Sequence, residues 1–344
     1  MDFRLTDEQE MLDQTVTRLF AETCTGADLR RLLAADAAHD SGRWAMMAEL
    51  GLPGLMAPES QGGVGLGPVE MALVAIAAGY AALPEPLIDH AGVAVPMLVD
   101  AGIAIPRGTV APGHPCNPLV ADADTAAALL LADGAAVHLV PTAGVRLTRR
   151  ESIDPFRRLF AVEWQPAAST QIADTGWDRA FDHGALFAAA QLLGLAQRAI
   201  DLSVAYTKER QQFGKPIGSF QAVKHLLATA QVKVEFARPV VLAAAALLAD
   251  ASALAPARIS HAKLAATRAA EIATHAAVQV HGAMGYSWEV DVHFVLKRAL
   301  ALGQAWGTPG LHKRRIAAHI QNAPFGPDRT FGDATAREMI LERA

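Results

Sequence analysis

Few stretches of this chain bring together side chains that could bind or transform a small molecule. The loop Pro58-Glu59-Ser60-Gln61-Gly62-Gly63-Val64-Gly65-Leu66-Gly67 has enough glycine to cradle a phosphate through backbone N–H groups. A dinucleotide fingerprint, however, needs a preceding strand and G-x-G-x-x-G spacing. Here a helix is expected before the loop and the spacing differs, so the glycines are read as turn residues at positive φ. A second stretch, Ala205 to Ala228, carries Arg210-Gln211-Gln212-Phe213-Gly214 and then Pro216, Phe220 and His225. Its spacing predicts a helix ending near Arg210, a Gly/Pro turn, and a helix starting near Ser219. The carboxylates Asp182, Glu289 and Asp291 lie near expected helix starts. Asp182 is read as an N-cap, since its oxygens can accept from orphan N–H groups. His281 is read as a satisfied structural residue. Cys24 and Cys116 form neither a disulfide framework nor a metal site.

The elements that must position these groups follow from composition and periodicity. The 344 residues suffice for two or three domains; 52% are apolar, 19% charged and only 6% aromatic, and alanine is abundant. That balance favours closely packed helices over a β-sandwich. Thr6-x-x-Gln9 has the form of a capping box opening a first helix, and further helices are expected at about Gly42–Leu50, Pro68–Ala82 and Asp89–Ala101. From Pro106 to Asp174 proline and glycine become frequent. Strands are expected at Ala127–Leu131, Ala136–Val140, Val145–Leu147 and Leu159–Val162. Long apolar helices return at Ala185–Tyr206, Phe220–Asp250, Pro256–Val280 and Val290–Trp306. The expected organisation is an N-terminal helical domain (1–105), a reduced middle β-domain (106–175), a C-terminal helical bundle (176–322) and a loose tail (323–344). A net charge of −5 gives no sign of a nucleic-acid partner, and His312-Lys313-Arg314-Arg315 reads as a solvated helix face. The run Val240–Leu248 is too short to span a bilayer and no signal peptide is visible, so a cytoplasmic protein without membrane attachment is expected.

Arg210 before Gln-x-Phe-Gly, followed by Pro-Ile-x-x-Phe-Gln-x-x-x-His, resembles the signature of the acyl-CoA dehydrogenase family. Gln279-Val280-His281-Gly282-Ala283-Met284-Gly285 is similar to the family's Gln-x-x-Gly-Gly-x-Gly, and the Pro58–Gly67 loop matches as well. The resemblance covers nearly the whole chain and is weakest in the middle. It implies a mainly α fold with a small middle β-domain and a C-terminal four-helix bundle. It also implies FAD held across a subunit interface, the ADP half by the neighbouring subunit. Arg210 would bind the pyrophosphate, its charge being permanent and its geometry bidentate. Gln212 and Phe213 would line the nucleotide, Gln279 would hydrogen-bond the cofactor, and Gly282 would permit close backbone approach. Ala283 departs from the second glycine of the pattern.

Family members remove the acyl α-proton with a carboxylate while a hydride leaves Cβ for the flavin. The usual base is the Glu of Tyr-Glu-Gly-Thr; this chain has Ala305-Trp306-Gly307-Thr308 there. The alternative base position falls on Gly184. Asp182 and His183 stand nearby as possible substitutes. The family's Thr-Glu-Pro-x-x-Gly-Ser-Asp-like stretch is replaced by a poor match around Val110–Pro118. The pattern therefore resembles the shorter, degenerate subunit of heteromeric α2β2 acyl-CoA dehydrogenases, including those acting on steroid side-chain CoA thioesters. Such a chain works with a homologous catalytic subunit, an acyl-CoA substrate, and electron-transfer flavoprotein or a similar acceptor. The alternatives are a homomeric dehydrogenase with a displaced base and a non-catalytic binding protein on the same fold.

Overall fold

The computed structural model describes residues 4–322; the stretch expected to be a loose tail lies outside them. Thr6 and Gln9 form the expected capping box, each side chain bonded to the other's backbone N–H, and it opens α1 (Asp7–Thr23). A second box, Thr25 with Asp28, opens α2 (Gly26–Ala34), and Asp40 caps α3 (Ser41–Glu49). After the glycine loop comes α4 (Pro68–Ala81), with proline in its first turn, where a missing N–H costs nothing. Next, α5 (Leu87–Asp89), a π turn (His90–Ala94) and α6 (Val95–Asp100) continue one another.

Seven short strands follow: β1 (Val110–Gly113), β2 (Val120–Ala121), β3 (Ala128–Asp133), β4 (Ala136–Pro141), β5 (Arg146–Arg150), β6 (Leu159–Glu163) and β7 (Gln171–Ala173). They make a four-stranded sheet of order β1-β3-β4-β7 and a three-stranded sheet of order β2-β6-β5. The four predicted strands are present, shifted by a few residues. β1, β2 and β7 are additions that periodicity could not announce, because each is two to four residues long and β1 contains Pro112 and Gly113.

The rest is helical: α7 (Trp177–Glu209), a hairpin of β8 (Gln211–Gln212) and β9 (Lys215–Pro216), then α8 (Gln221–Ala249), α9 (Ala255–His281), α10 (Val292–Gln304) and α11 (Pro309–Asn322). Helix α7 packs against α4, α8, α9 and α10. It is long and apolar enough to cross a membrane, unlike the run singled out in the sequence, yet 72% of that apolar stretch is buried inside the protein. Each fully buried Leu or Phe along it contributes about 1.5–3 kcal/mol. Two glycines set its distance to α4. A Cβ on Gly79 would lie 2.1 Å from the carbonyl oxygen of Gln191, and one on Gly194 would lie 2.0 Å from that of Ile76. The two backbones touch with no side chain between them.

Two readings need correction. Helix α7 begins at Trp177, with Gly176 in the cap position and no side-chain cap bond. Asp182 therefore lies inside the helix and is not its N-cap; its carboxylate meets Arg315 at 2.7 Å. The basic cluster is not a uniformly solvated face. Lys313 and Arg314 are exposed, but His312 is fully buried and Arg315 is spent on Asp182.

Candidate functional site

Trp306 and Gly184, far apart in the chain, face each other inside the protein. Trp306 is only 3% exposed. Its indole lies flat against α7, so that a Cβ on Gly184 would come within 2.1 Å of the ring. Glycine is the residue that lets the ring approach the helix backbone this closely. The indole N–H donates to Asp89 Oδ1 at 3.2 Å, at the start of the π turn, and the Trp306 backbone N–H donates to Asn117 Oδ1 at 3.4 Å. His114 meets the indole edge-on at 5.5 Å. On the far side, His312 Nε2 lies 3.0 Å from the Trp306 carbonyl oxygen and Nδ1 lies 3.2 Å from Ser260 Oγ. A carbonyl only accepts, so Nε2 carries the proton and Nδ1 accepts from the serine hydroxyl. Burial depresses the His312 pKa to about 4 and keeps the ring neutral. Trp306 has φ +54°, a left-handed conformation unfavourable for a bulky residue; its anchors hold it there.

The carboxylates near this point are not arranged as a base. Burial raises the Asp89 pKa, opposed by Arg157, and the Asp89 carboxyl is engaged by the indole. Asp182 is held by Arg315, as above. His183 is buried, its Nδ1 3.0 Å from the Gly92 carbonyl oxygen, and its pKa is pushed down to about 4 by burial. Glu289 is exposed, and Asp291 stands at the N-cap position of α10 without a side-chain cap bond and pairs with Arg30 at 2.6 Å. Lys263 lies behind the plug, fully buried. It donates to the Leu302 carbonyl, and burial lowers its pKa to about 7. Asp89, Asn117, His114 and Lys263 were not singled out in the sequence. Asp89 lies 217 residues from its partner, and no local pattern links them.

The second candidate region lies on the surface. Tyr206, at the end of α7, stacks on His281, at the end of α9, with ring centroids 4.2 Å apart. The stack joins the ends of α7 and α9, after which the Arg210–Gly214 turn and the Gly282–Ala283 turn follow. His281 is buried, its Nδ1 2.7 Å from the Ala277 carbonyl oxygen, a structural role as expected. Arg210, Gln212, Gln279, Gly282 and Ala283 are all exposed. Among the described residues the side chains of Arg210, Gln212 and Gln279 have no hydrogen-bond or ion-pair partner. Phe213 and Gly214 form the two-residue tip of the β8–β9 hairpin, both at positive φ (53° and 78°), as in a mirror-image type I′ turn. Phe213 is 91% exposed, touched edge-on by Phe220 at 6.2 Å. A large aromatic held at positive φ in solvent gains little from its own fold beyond that one contact. Gly282 has φ 59°, ψ −134°, open to other residues only under strain, and nothing lies within 4 Å of where its Cβ would be.

These donors suit a nucleotide diphosphate: a guanidinium, two carboxamides, an unstacked ring and backbone with no Cβ in front of it. The Val110–Pro118 stretch does not offer a complementary cradle. Its Val110–Gly113 part is strand β1, and His114 and Asn117 turn inward to hold Trp306.

Profiles of the acyl-CoA dehydrogenase N-terminal and C-terminal domains match residues 6–104 and 175–321, with the strands between them. The chain is 33% identical over 324 residues to acyl-CoA dehydrogenase IpdE2 of Mycolicibacterium smegmatis, covering 92% of this chain and 100% of that one. Among solved structures it is similar to a chain of the ChsE4-ChsE5 complex from Mycobacterium tuberculosis, with TM-score 0.84, 25% identity, and 94% and 100% of the two chains covered. Butyryl-CoA dehydrogenase from Megasphaera elsdenii shares the fold, with TM-score 0.80, 19% identity, and 94% and 100% covered.

Proposed function

Since the chain belongs to the acyl-CoA dehydrogenase family, we propose that it is the non-catalytic subunit of a heteromeric acyl-CoA dehydrogenase. In this reading it supplies the ADP-binding half of an FAD site to a homologous catalytic partner. The observation that carries the reading is the Trp306 indole lying against Gly184: both positions where a base would stand are closed by one side chain. The chain's resemblance to a member of the ChsE4-ChsE5 complex supports a heteromer.

FAD, when bound, accepts the hydride in the α,β-dehydrogenation of an acyl-CoA thioester. Within this chain, Arg210 would neutralise the pyrophosphate through paired N–H donors, and Gln212 and Gln279 would orient the nucleotide by hydrogen bonds. Phe213 would cover it with an aromatic face, and Gly282 and Ala283 would bring backbone N–H groups close. Deprotonation of the acyl α-carbon would fall to the partner's carboxylate, since the indole has no basic atom to offer. Electrons would leave to electron-transfer flavoprotein or a similar acceptor, and the assembly would be cytoplasmic.

Purification alone and with the partner tests the reading. The isolated chain should carry little flavin and show no acyl-CoA oxidation; co-expression with a longer homologue that retains the Glu should give a flavin-loaded complex. Robust turnover by the isolated chain would sink it, and Asp89→Asn would then test for a displaced base.

A further inference from the structure

Away from both regions a cavity of ≈ 300 Å³ opens between α1, α2, α4, α7, α8 and α10. That is the lower end of the range small-molecule sites occupy. Its floor is apolar, formed by Phe20, Ala77, Phe294 and Val295, all buried. Two arginines line its wall, Arg198 on α7 and Arg238 on α8. The Arg198 guanidinium lies over the Tyr80 ring, 5.3 Å from its centroid. The nearby carboxylate of Asp201 is already used by neutral donors: Tyr80 Oη donates to Oδ2 at 2.8 Å and Gln197 Nε2 to Oδ1 at 2.9 Å. Among the described residues neither Arg198 nor Arg238 has a carboxylate within 4.0 Å. Two carboxylates also line the cavity: Asp13, on which Arg238 acts only at longer range, and Asp291, which is paired with Arg30 at 2.6 Å. Cys24 lines it too, but its thiol contacts the Ala81 carbonyl and burial raises its pKa to about 12, which makes it unreactive.

We propose that this cavity binds an amphipathic anion, a carboxylate on a short aliphatic chain. Two guanidinium groups without acid partners at the edge of an apolar hollow supply what such a ligand needs. A carboxylate takes paired N–H donors from Arg, and Arg198 and Arg238 are both half-buried at the cavity wall. Lying against the floor of Phe20 and Phe294, the aliphatic chain removes its own apolar surface from water. The pocket shares no residue with the Trp306 plug or the Arg210–Ala283 surface, so the assignment does not depend on the subunit role.

Calorimetric titration of the full-length chain with octanoate tests the proposal, with octan-1-ol and inorganic phosphate as comparison probes. Octanoate should bind at one site, octan-1-ol and phosphate each at least tenfold more weakly. Arg198→Gln and Arg238→Gln should each weaken octanoate at least tenfold. Ala77→Leu, which fills the floor, should weaken it without touching a charge, and Lys313→Gln, an equal loss of charge on an exposed helix, should leave it unchanged. Melting curves establish that each variant is folded. The proposal is overturned if octanoate does not bind at millimolar concentration, or if the alcohol binds as well. It is equally overturned if phosphate binds as well, which would mark a free-anion site, or if all three cavity variants keep wild-type affinity.

Discussion

The interior around Trp306 and the surface around Arg210 and Gln279 use their polar groups in opposite ways. Inside, the indole N–H, the Trp306 backbone N–H and its carbonyl each have a partner in the same chain: Asp89, Asn117 and His312. Outside, a guanidinium, two carboxamides and a strained phenyl ring are left in solvent. The interior contributes to this chain's own stability, where net free energy is a small remainder of large terms. The exposed polar side chains Arg210, Gln212 and Gln279 make no side-chain bond that would add to it. Their value is realised only when another molecule arrives, which is the physical content of a role in an assembly.

That contrast predicts a clean separation of phenotypes. Trp306→Ala should destabilise the isolated chain by about 3–5 kcal/mol, measured by chemical denaturation, because it leaves a cavity and unsatisfied partners. It should leave flavin retention by the complex close to wild type; an equal loss of flavin would break the separation. Lys263 gives the interior a pH signature. Its native pKa is depressed to about 7 from an ordinary 10.5, so over that interval the unfolded chain binds the proton that the native chain has shed. Stability should therefore rise with pH between about 7 and 10.5, by on the order of a few kcal/mol. Lys263→Met should flatten that slope, and a variant with the wild-type slope would remove Lys263 as its source.

Arg210→Ala should do the reverse of Trp306→Ala. The isolated chain should melt unchanged, while FAD retention by the complex weakens by about 1.5–3 kcal/mol, the worth of hydrogen bonds to a charged group. Unchanged occupancy would take Arg210 out of the site. The smallest effect expected is that of Gly184→Ala, about 1–3 kcal/mol from overpacking against the indole. In a double-mutant cycle with Trp306→Ala the combined loss should fall below the sum. Strict additivity would mean that the methyl group strains something other than the ring.

Much of this was legible in the sequence where information is local. The Thr6–Gln9 box, the α4 span and the turn between α7 and α8 all rest on short motifs. Trp306 and Gly184 are named one at a time through the family resemblance, and their contact, across more than a hundred residues, has no local signal. What escaped depends on distance or on minimal length. β2 is two residues long, and β1 runs through a proline. Asp182 looked like a cap because the helix was expected to begin at Ala185, whereas Trp177 already sits in its first turn, its indole N–H bonded to the Ala136 carbonyl on β4. His312 looked solvated among three cations, but the Trp306 carbonyl and Ser260 draw it inward.

The bare contact between α4 and α7 bears on how the molecule breathes. Gly79 and Gly194 hold two backbones together at a spacing that admits no intervening methyl, and this joins the first hundred residues to the longest helix of the bundle. A hinge between these parts would have to peel apart this backbone-to-backbone seam together with the Tyr80–Asp201 hydrogen bond beside it. Amide protons along α4 and the middle of α7 should therefore exchange together, as one cooperative unit at the highest protection the chain attains. The Arg210 hairpin, exposed between the end of α7 and the start of α8, should be among the first segments to open and the last to settle when a partner arrives.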